Sequence, residues 1–237
     1  MARTVNTAVR TVRRGAFIDA AMRLIQSSGY EKMSLQDVLD TTEASRGAFY
    51  HYFDSKNALL EAVLWRMTDV VLASVAPVID EPAVPALEKI DRLFTGIAHW
   101  KNERKELVVG LLHVWYSDDN AIVRERLRSV VASRMVPVLA RIVGQGKDEG
   151  TFSVTSPDET ARVLWSLIQG AQETAGELLL ARQRNAIPFE AVAPALAAYP
   201  AAFERILGVP PGSVRLADDE TLRLWFDRPP RVQGGNR

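Results

Sequence analysis

Apolar residues recur at spacings of three and four along nearly the whole chain, and no useful length alternates apolar and polar as a strand would. That periodicity restricts the fold to helices packed on helices. A first helix is expected over 12–28, burying Phe17, Ala20, Ala21, Leu24 and Ile25 and ending at Gly29. Ser34 caps a second helix, with Asp37 placed to close a capping box and Val38 and Leu39 turned inward. Thr42-Glu43-Ala44 makes a turn, Ser45 caps a short helix ending at Phe53, and Asp54 or Ser55 caps a long one to about Ala76. The proline-rich stretch 77–85 reads as a break and a domain boundary.

Beyond it, helices are expected over 85–100, 103–116, 120–146, 156–184 and 188–207. Ser156-Pro157-Asp158-Glu159 is a strong start, with a cap, a proline at the first helical position and an acid at the third. After Gly208 the segment holding Pro210, Pro211, Pro229 and Pro230 reads as an irregular tail. Within it, 218–226 forms one amphipathic turn or two, anchored by Leu222, Trp225 and Phe226.

The absence of cysteine excludes disulfides, thiolate zinc sites and cysteine nucleophiles, and fits a reducing cytoplasm. No window approaches the roughly 20 apolar residues of a membrane span. Basic and acidic residues balance at 29 each, so the chain as a whole is not coated with positive charge. Charge is local instead: Arg3, Arg10, Arg13 and Arg14 lead the chain with no acid among them. Such an arm can follow phosphates or enter a minor groove, and it can equally be a solvated tail.

Function is concentrated in the stretch SLQDVLDTTEASRGAFYHYFDSKNALL, Ser34 to Leu60. It reads as helix, tight turn, short helix and the start of a third, the pattern of a helix-turn-helix. Phe49 and Phe53, four apart, share one face and would pack on the first helix and on Leu24. Arg46, Gly47, Tyr50 and His51 fall largely on the opposite face. Gly47 and Ala48 lack bulk, so the backbone can come close to a groove. Lys56 begins the next helix, where its charge and free backbone N–H groups make a natural phosphate seat.

These residues closely resemble the TetR family of transcriptional regulators. The family's run of small, Ser, cation, Gly, small, aromatic, Tyr, variable, aromatic, Phe, then Lys is met by Ala44-Ser45-Arg46-Gly47-Ala48-Phe49-Tyr50-His51-Tyr52-Phe53 and Lys56. Phe17, Ala20, Ala21, Gly29 and Tyr30 match the family's first helix and its end. The match covers about Arg13 to Val63. It implies that Arg46, Gly47, Ala48 and His51 face bases, with one further base contact from Gln36. It implies phosphate contacts for Ser34, Tyr50, Tyr52 and Lys56, and Ser45 belongs to the DNA-binding set. Glu43 departs from the pattern, where glycine is usual; a positive φ is expected there at modest strain.

By the same resemblance the later helices pair two subunits and the middle helices enclose an effector pocket. Ala161, Leu164, Ile168, Ala171, Ala175 and Leu178 form one apolar stripe, and Leu196, Tyr199 and Phe203 belong to another on the last helix. Both stripes are candidates for a homodimer interface, or else simply pack within one subunit. Trp65, Phe94, Trp100, His113, Trp115, Tyr116 and Met135 are available to line the pocket, although such residues more often fill a core. Serine-hydrolase, phosphate-loop, dinucleotide and zinc motifs are missing, and the three histidines His51, His99 and His113 are scattered. No enzyme activity, cofactor or metal is therefore expected.

The reading is an all-α chain: a basic N-terminal arm over 1–15, a helix-turn-helix domain over 12–60, a helical effector-binding and dimerisation domain over 61–208, and a tail over 209–237. Its expected partners are a double-stranded DNA operator, a second copy and an unidentified small-molecule effector, in the cytoplasm. A helical adaptor that binds protein through the His51 face is the other reading. A steep loss of affinity with salt separates DNA from protein as the partner.

Overall fold

The computed structural model describes residues 2–116 and 120–227; for residues 2–9, 75, 78, 113 and 114 it describes the backbone alone. Among these residues the regular structure is helical: α1 (Ala2–Ser28), α2 (Leu35–Thr42), α3 (Arg46–Tyr50), α4 (Lys56–Asp80), α5 (Ala86–Glu103), α6 (Lys105–Tyr116), α7 (Ala121–Asp148), α8 (Pro157–Gln183), α9 (Val192–Leu196), α10 (Ala198–Leu207) and α11 (Asp219–Phe226). The residues form two compact units, one of Met1–Leu72 with Arg104–Val131, the other of Ala73–Glu103 with Ala132–Arg237. The first unit thus joins the helix-turn-helix segment to α6 and the start of α7.

In the first unit, α1 packs on α2 and α6 around a core that includes Phe17, Ile18, Ile25, Met33, Val38, Phe49, Leu59 and Leu107. The helix begins at Ala2 rather than near Val12, because neither glycine nor proline interrupts the sequence before Gly15. It stops where Gly29 takes φ +83°, as its sequence position suggests. At α6, Gly110 lets two helices meet closely: a Cβ there would lie 2.8 Å from the Ile25 carbonyl oxygen.

In the second unit, Ile90, Leu93, Leu139, Ile142, Leu164, Phe203 and Leu207 are fully or almost fully buried, and Phe94 meets Phe203 edge-on. Pro77 does not end α4, which continues to Asp80. The extra turn is supported from across the unit. Buried Lys89 donates from Nζ to the Ile79 carbonyl at 2.8 Å, occupying one of the acceptors that a helix end leaves open.

The expected single helix over 188–207 is instead a 3₁₀ turn (Phe189–Ala191) followed by α9 and α10. Pro194 and Pro200 each lie in the first turn of a new helix, where the missing N–H costs nothing. The segment 218–226 is more ordered than a turn or two. Asp218 caps α11 by accepting the Thr221 N–H at 2.7 Å, Trp225 Nε1 donates to Asn102 Oδ1 at 2.6 Å, and Phe226 is buried. Pro229 and Pro230 of the expected tail lie outside the described residues.

Candidate nucleic-acid interface

Three short-range devices build the helix-turn-helix. Ser34 and Asp37 close a full capping box at α2: Ser34 Oγ accepts the Asp37 N–H at 3.1 Å, and Asp37 Oδ2 accepts the Ser34 N–H at 2.8 Å. The Ser34 N–H and hydroxyl bonds hold the Asp37 carboxyl below the usual carboxylate range. Glu43 ends α2 with φ +50° and ψ +38°, the left-handed geometry that glycine would take more easily. Ser45 then caps α3 by accepting the Ala48 N–H at 3.2 Å.

An aromatic nest fixes the attitude of α3. Phe17 meets Phe49 at 5.5 Å and Phe53 at 6.2 Å, both edge-on, and approaches Tyr52 at 5.9 Å. Phe17 is therefore the ring on which α3 is seated, and Leu24, half-buried, packs against the same core. With Phe49 fully buried, the opposite face of α3 is turned to solvent: Arg46, Gly47, Tyr50 and His51 are exposed and Ala48 is half-buried. Tyr50 is 52% exposed, with its ring edge-on to Phe49 at 5.5 Å. A Cβ at Gly47 would meet nothing nearer than Ser45 Oγ at 3.9 Å, so the bare backbone is open to an incoming surface.

The flanking positions are more constrained. Gln36 is exposed, with its amide donating to Asp40 Oδ1 at 2.7 Å. Tyr52 is half-buried between Phe17 and His51. Lys56 lies over the Tyr30 ring at 4.2 Å and donates to the Tyr30 carbonyl at 2.9 Å. Burial lowers the Lys56 pKa from its ordinary value, against the opposing pull of Glu31 and Asp37. Burial also pushes the Tyr30 phenol up to about 12, keeping it a donor to Asn57 Oδ1 at 2.9 Å. One neighbour was not visible in the sequence reading: Arg14 stacks its guanidinium 5.0 Å from the centre of the Phe53 ring. Its position three residues before Phe17, on the same face of α1, was the available signal.

Residues 17–63 match the family described as bacterial regulatory proteins, tetR family. Residues 17–63 are a TetR-family domain. Across a longer span it is 24% identical over 163 residues to the HTH-type transcriptional repressor DhaR of Mycobacterium sp. (strain GP1), covering 68% of this chain and 81% of that one. It is 26% identical over 130 residues to the HTH-type transcriptional repressor KstR2 of Rhodococcus jostii (strain RHA1), covering 51% of this chain and 64% of that relative. The fold resembles a TetR transcription regulator from Haloarcula marismortui ATCC 43049, with TM-score 0.62 at 19% identity over 84% of this chain and 97% of the other. E. coli NemR in its reduced form gives a TM-score of 0.56 at 20% identity, over 84% and 99%. This chain is a DNA-binding transcription regulator.

The other expected site residues fall as follows. Ala161, Leu164, Ile168 and Phe203 are buried inside the single chain, so their surface is already spent on its own core. Ala171, Ala175, Leu178, Leu196 and Tyr199 are half-buried. Among the pocket candidates, Phe94, Trp100 and Met135 are core residues of the second unit, while Trp65, Trp115 and Tyr116 are half-buried in the first. Trp115 helps line a recess with Leu60, Leu64, Leu111 and Arg124 that has room for about one water molecule. The side chain of His113 lies outside the described residues. Among the described residues no helix is long and apolar enough to cross a membrane, and no acidic or histidine cluster could hold a metal.

Proposed function

We propose that this regulator is a repressor whose homodimer holds a palindromic operator and releases it when a small-molecule effector binds the helices beyond the DNA-binding segment. The observation that carries the reading is the exposed Arg46–His51 face, seated on a buried aromatic nest and lying within the span 17–63 that matches the family. Arg46, Gly47, Ala48 and His51 read bases, with Gln36 adding a contact; Ser34, Tyr50, Tyr52 and Lys56 hold phosphates. Two relatives named as repressors support repression over activation.

One recognition helix reads too few base pairs for a unique site, and a twofold pair doubles it. Helices α8 and α10 supply the pairing surface. Val163, 50% exposed, and the half-buried Ala171, Ala175, Leu178 and Tyr199 remain open to a second copy. Helix α4 contributes residues to both units and carries the effector's displacement to the reading helices. Ultracentrifugation of the protein with its selected operator tests the arrangement. Two chains per duplex, dissociating when a ligand found by thermal shift is added, are expected. One chain per duplex, or affinity indifferent to every ligand that binds, contradicts it.

A further inference from the structure

Helix α1 starts at Ala2. Among its described side chains, which run from Arg10, the buried ones begin at Phe17. Arg10, Arg14 and Phe17 are spaced by four and three residues, which places them on one face; Arg13 borders it. This is the face that meets the recognition element, since Phe17 packs on Phe49, Tyr52 and Phe53 and Arg14 covers the Phe53 ring. Phe53 closely follows the C-terminal end of α3. The basic stripe therefore runs along α1 from the aromatic nest on which α3 is seated. Arg10, one turn from Arg14, is about 6 Å further along the axis.

All three arginines are exposed, and Arg10 and Arg13 have no ion pair among the described residues. The first acid in the chain is Asp19, which pairs with Arg66 at 2.8 Å. A net charge of zero makes this concentration a property of one edge of the molecule, continuous with the DNA-reading face.

We infer that the N-terminal turns of α1 are a second DNA-binding surface, in which Arg10, Arg13 and Arg14 lie along the phosphates flanking the groove that α3 reads. The inference rests on the DNA-binding reading and extends it from the recognition helix to the operator's flanks. The partner is backbone phosphate, so the stripe adds affinity and footprint length without adding sequence preference.

The test uses the full-length chain and its selected operator in long and end-trimmed duplexes, with salt titrations of wild type, Arg10→Ala/Arg13→Ala and Arg10→Lys/Arg13→Lys. Arg14 is kept because it also packs on Phe53. Thermal melting of the free variants checks folding. The alanine pair, which removes two arginines from each copy of the dimer, is expected to lower the slope of log affinity against log salt by about 3.6, at roughly 0.9 per phosphate contact, and to remove the advantage of the long duplex. The lysine pair should retain both, since a phosphate needs a charge rather than a fork. An unchanged slope and footprint in the alanine pair would make the stripe a solvated surface and overturn the inference, with the DNA reading intact. Loss in the lysine pair equal to that in the alanine pair would mean geometry-specific base reading and would overturn the phosphate assignment. A folded wild type that binds no duplex would defeat the DNA reading itself, and this inference with it.

Discussion

Gly47 and Asp37 separate what a residue does for folding from what it does for reading DNA. Gly47 has open space where a Cβ would go, with Ser45 Oγ 3.9 Å away. Gly47→Ala should leave the unfolding midpoint unchanged or raise stability by up to about 1 kcal/mol through helix propensity. On the proposed reading it should nevertheless weaken operator binding about tenfold or more, because the added methyl holds the backbone off the groove at a cost of roughly 1–3 kcal/mol; parallel denaturant and gel-shift titrations decide it. Asp37 carries a pH signature. Because its pKa is lowered in the folded chain by the Ser34 bonds, its contribution is present above about pH 4 and is lost as pH falls through the folded value. Asp37→Asn should flatten the corresponding part of the acid limb in urea unfolding below about pH 4, and an unaltered limb would remove Asp37 from it. The capping box and the Glu43 turn were legible because their partners lie within four residues. The Lys56 bond to the Tyr30 carbonyl was not, since it spans 26 residues and depends on how α1 and α4 meet.

Element boundaries follow from which carbonyls and N–H groups find partners. Pro77 was read as a stop, and α4 nevertheless runs on because Lys89 serves the Ile79 carbonyl from another helix. The single helix expected over 188–207 is instead divided, with Pro194 and Pro200 each in the first turn of a new helix. The first outcome depends on a tertiary partner that periodicity does not encode. Helix contact is equally specific at α1 and α6. Gly110→Ala would push a methyl against the Ile25 carbonyl oxygen at 2.8 Å, and backbone cannot swing aside. A loss of about 1–3 kcal/mol in unfolding free energy is expected, exceeding the alanine propensity gain. Gly15→Ala is the matched control, since its Cβ would meet only the mobile end of Arg66 at 3.4 Å, and it should be neutral or stabilising by up to about 1 kcal/mol. Equal behaviour of the two variants would mean that α6 can slide on α1 without cost.

At the scale of the molecule, the all-helical class and the helix-turn-helix were readable because both are written in local spacing. The proposed dimer surface was harder to find. The apolar stripe of α8 has the same period whether it meets a partner or its own core, and the structure gives Ala161, Leu164 and Ile168 to the core. Charge follows a similar rule: a total of zero conceals a strongly basic leading edge beside the recognition helix. The most direct test of the central claim is selection of bound duplexes from a random pool, followed by salt titration of wild type and Arg46→Ala/Tyr50→Ala on the enriched sequence. Enrichment of one twofold-symmetric site, with affinity falling steeply in salt and lost in a variant that still folds, is the predicted result. A folded protein that enriches no sequence, or a variant that binds the enriched site as well as wild type does, would contradict the account.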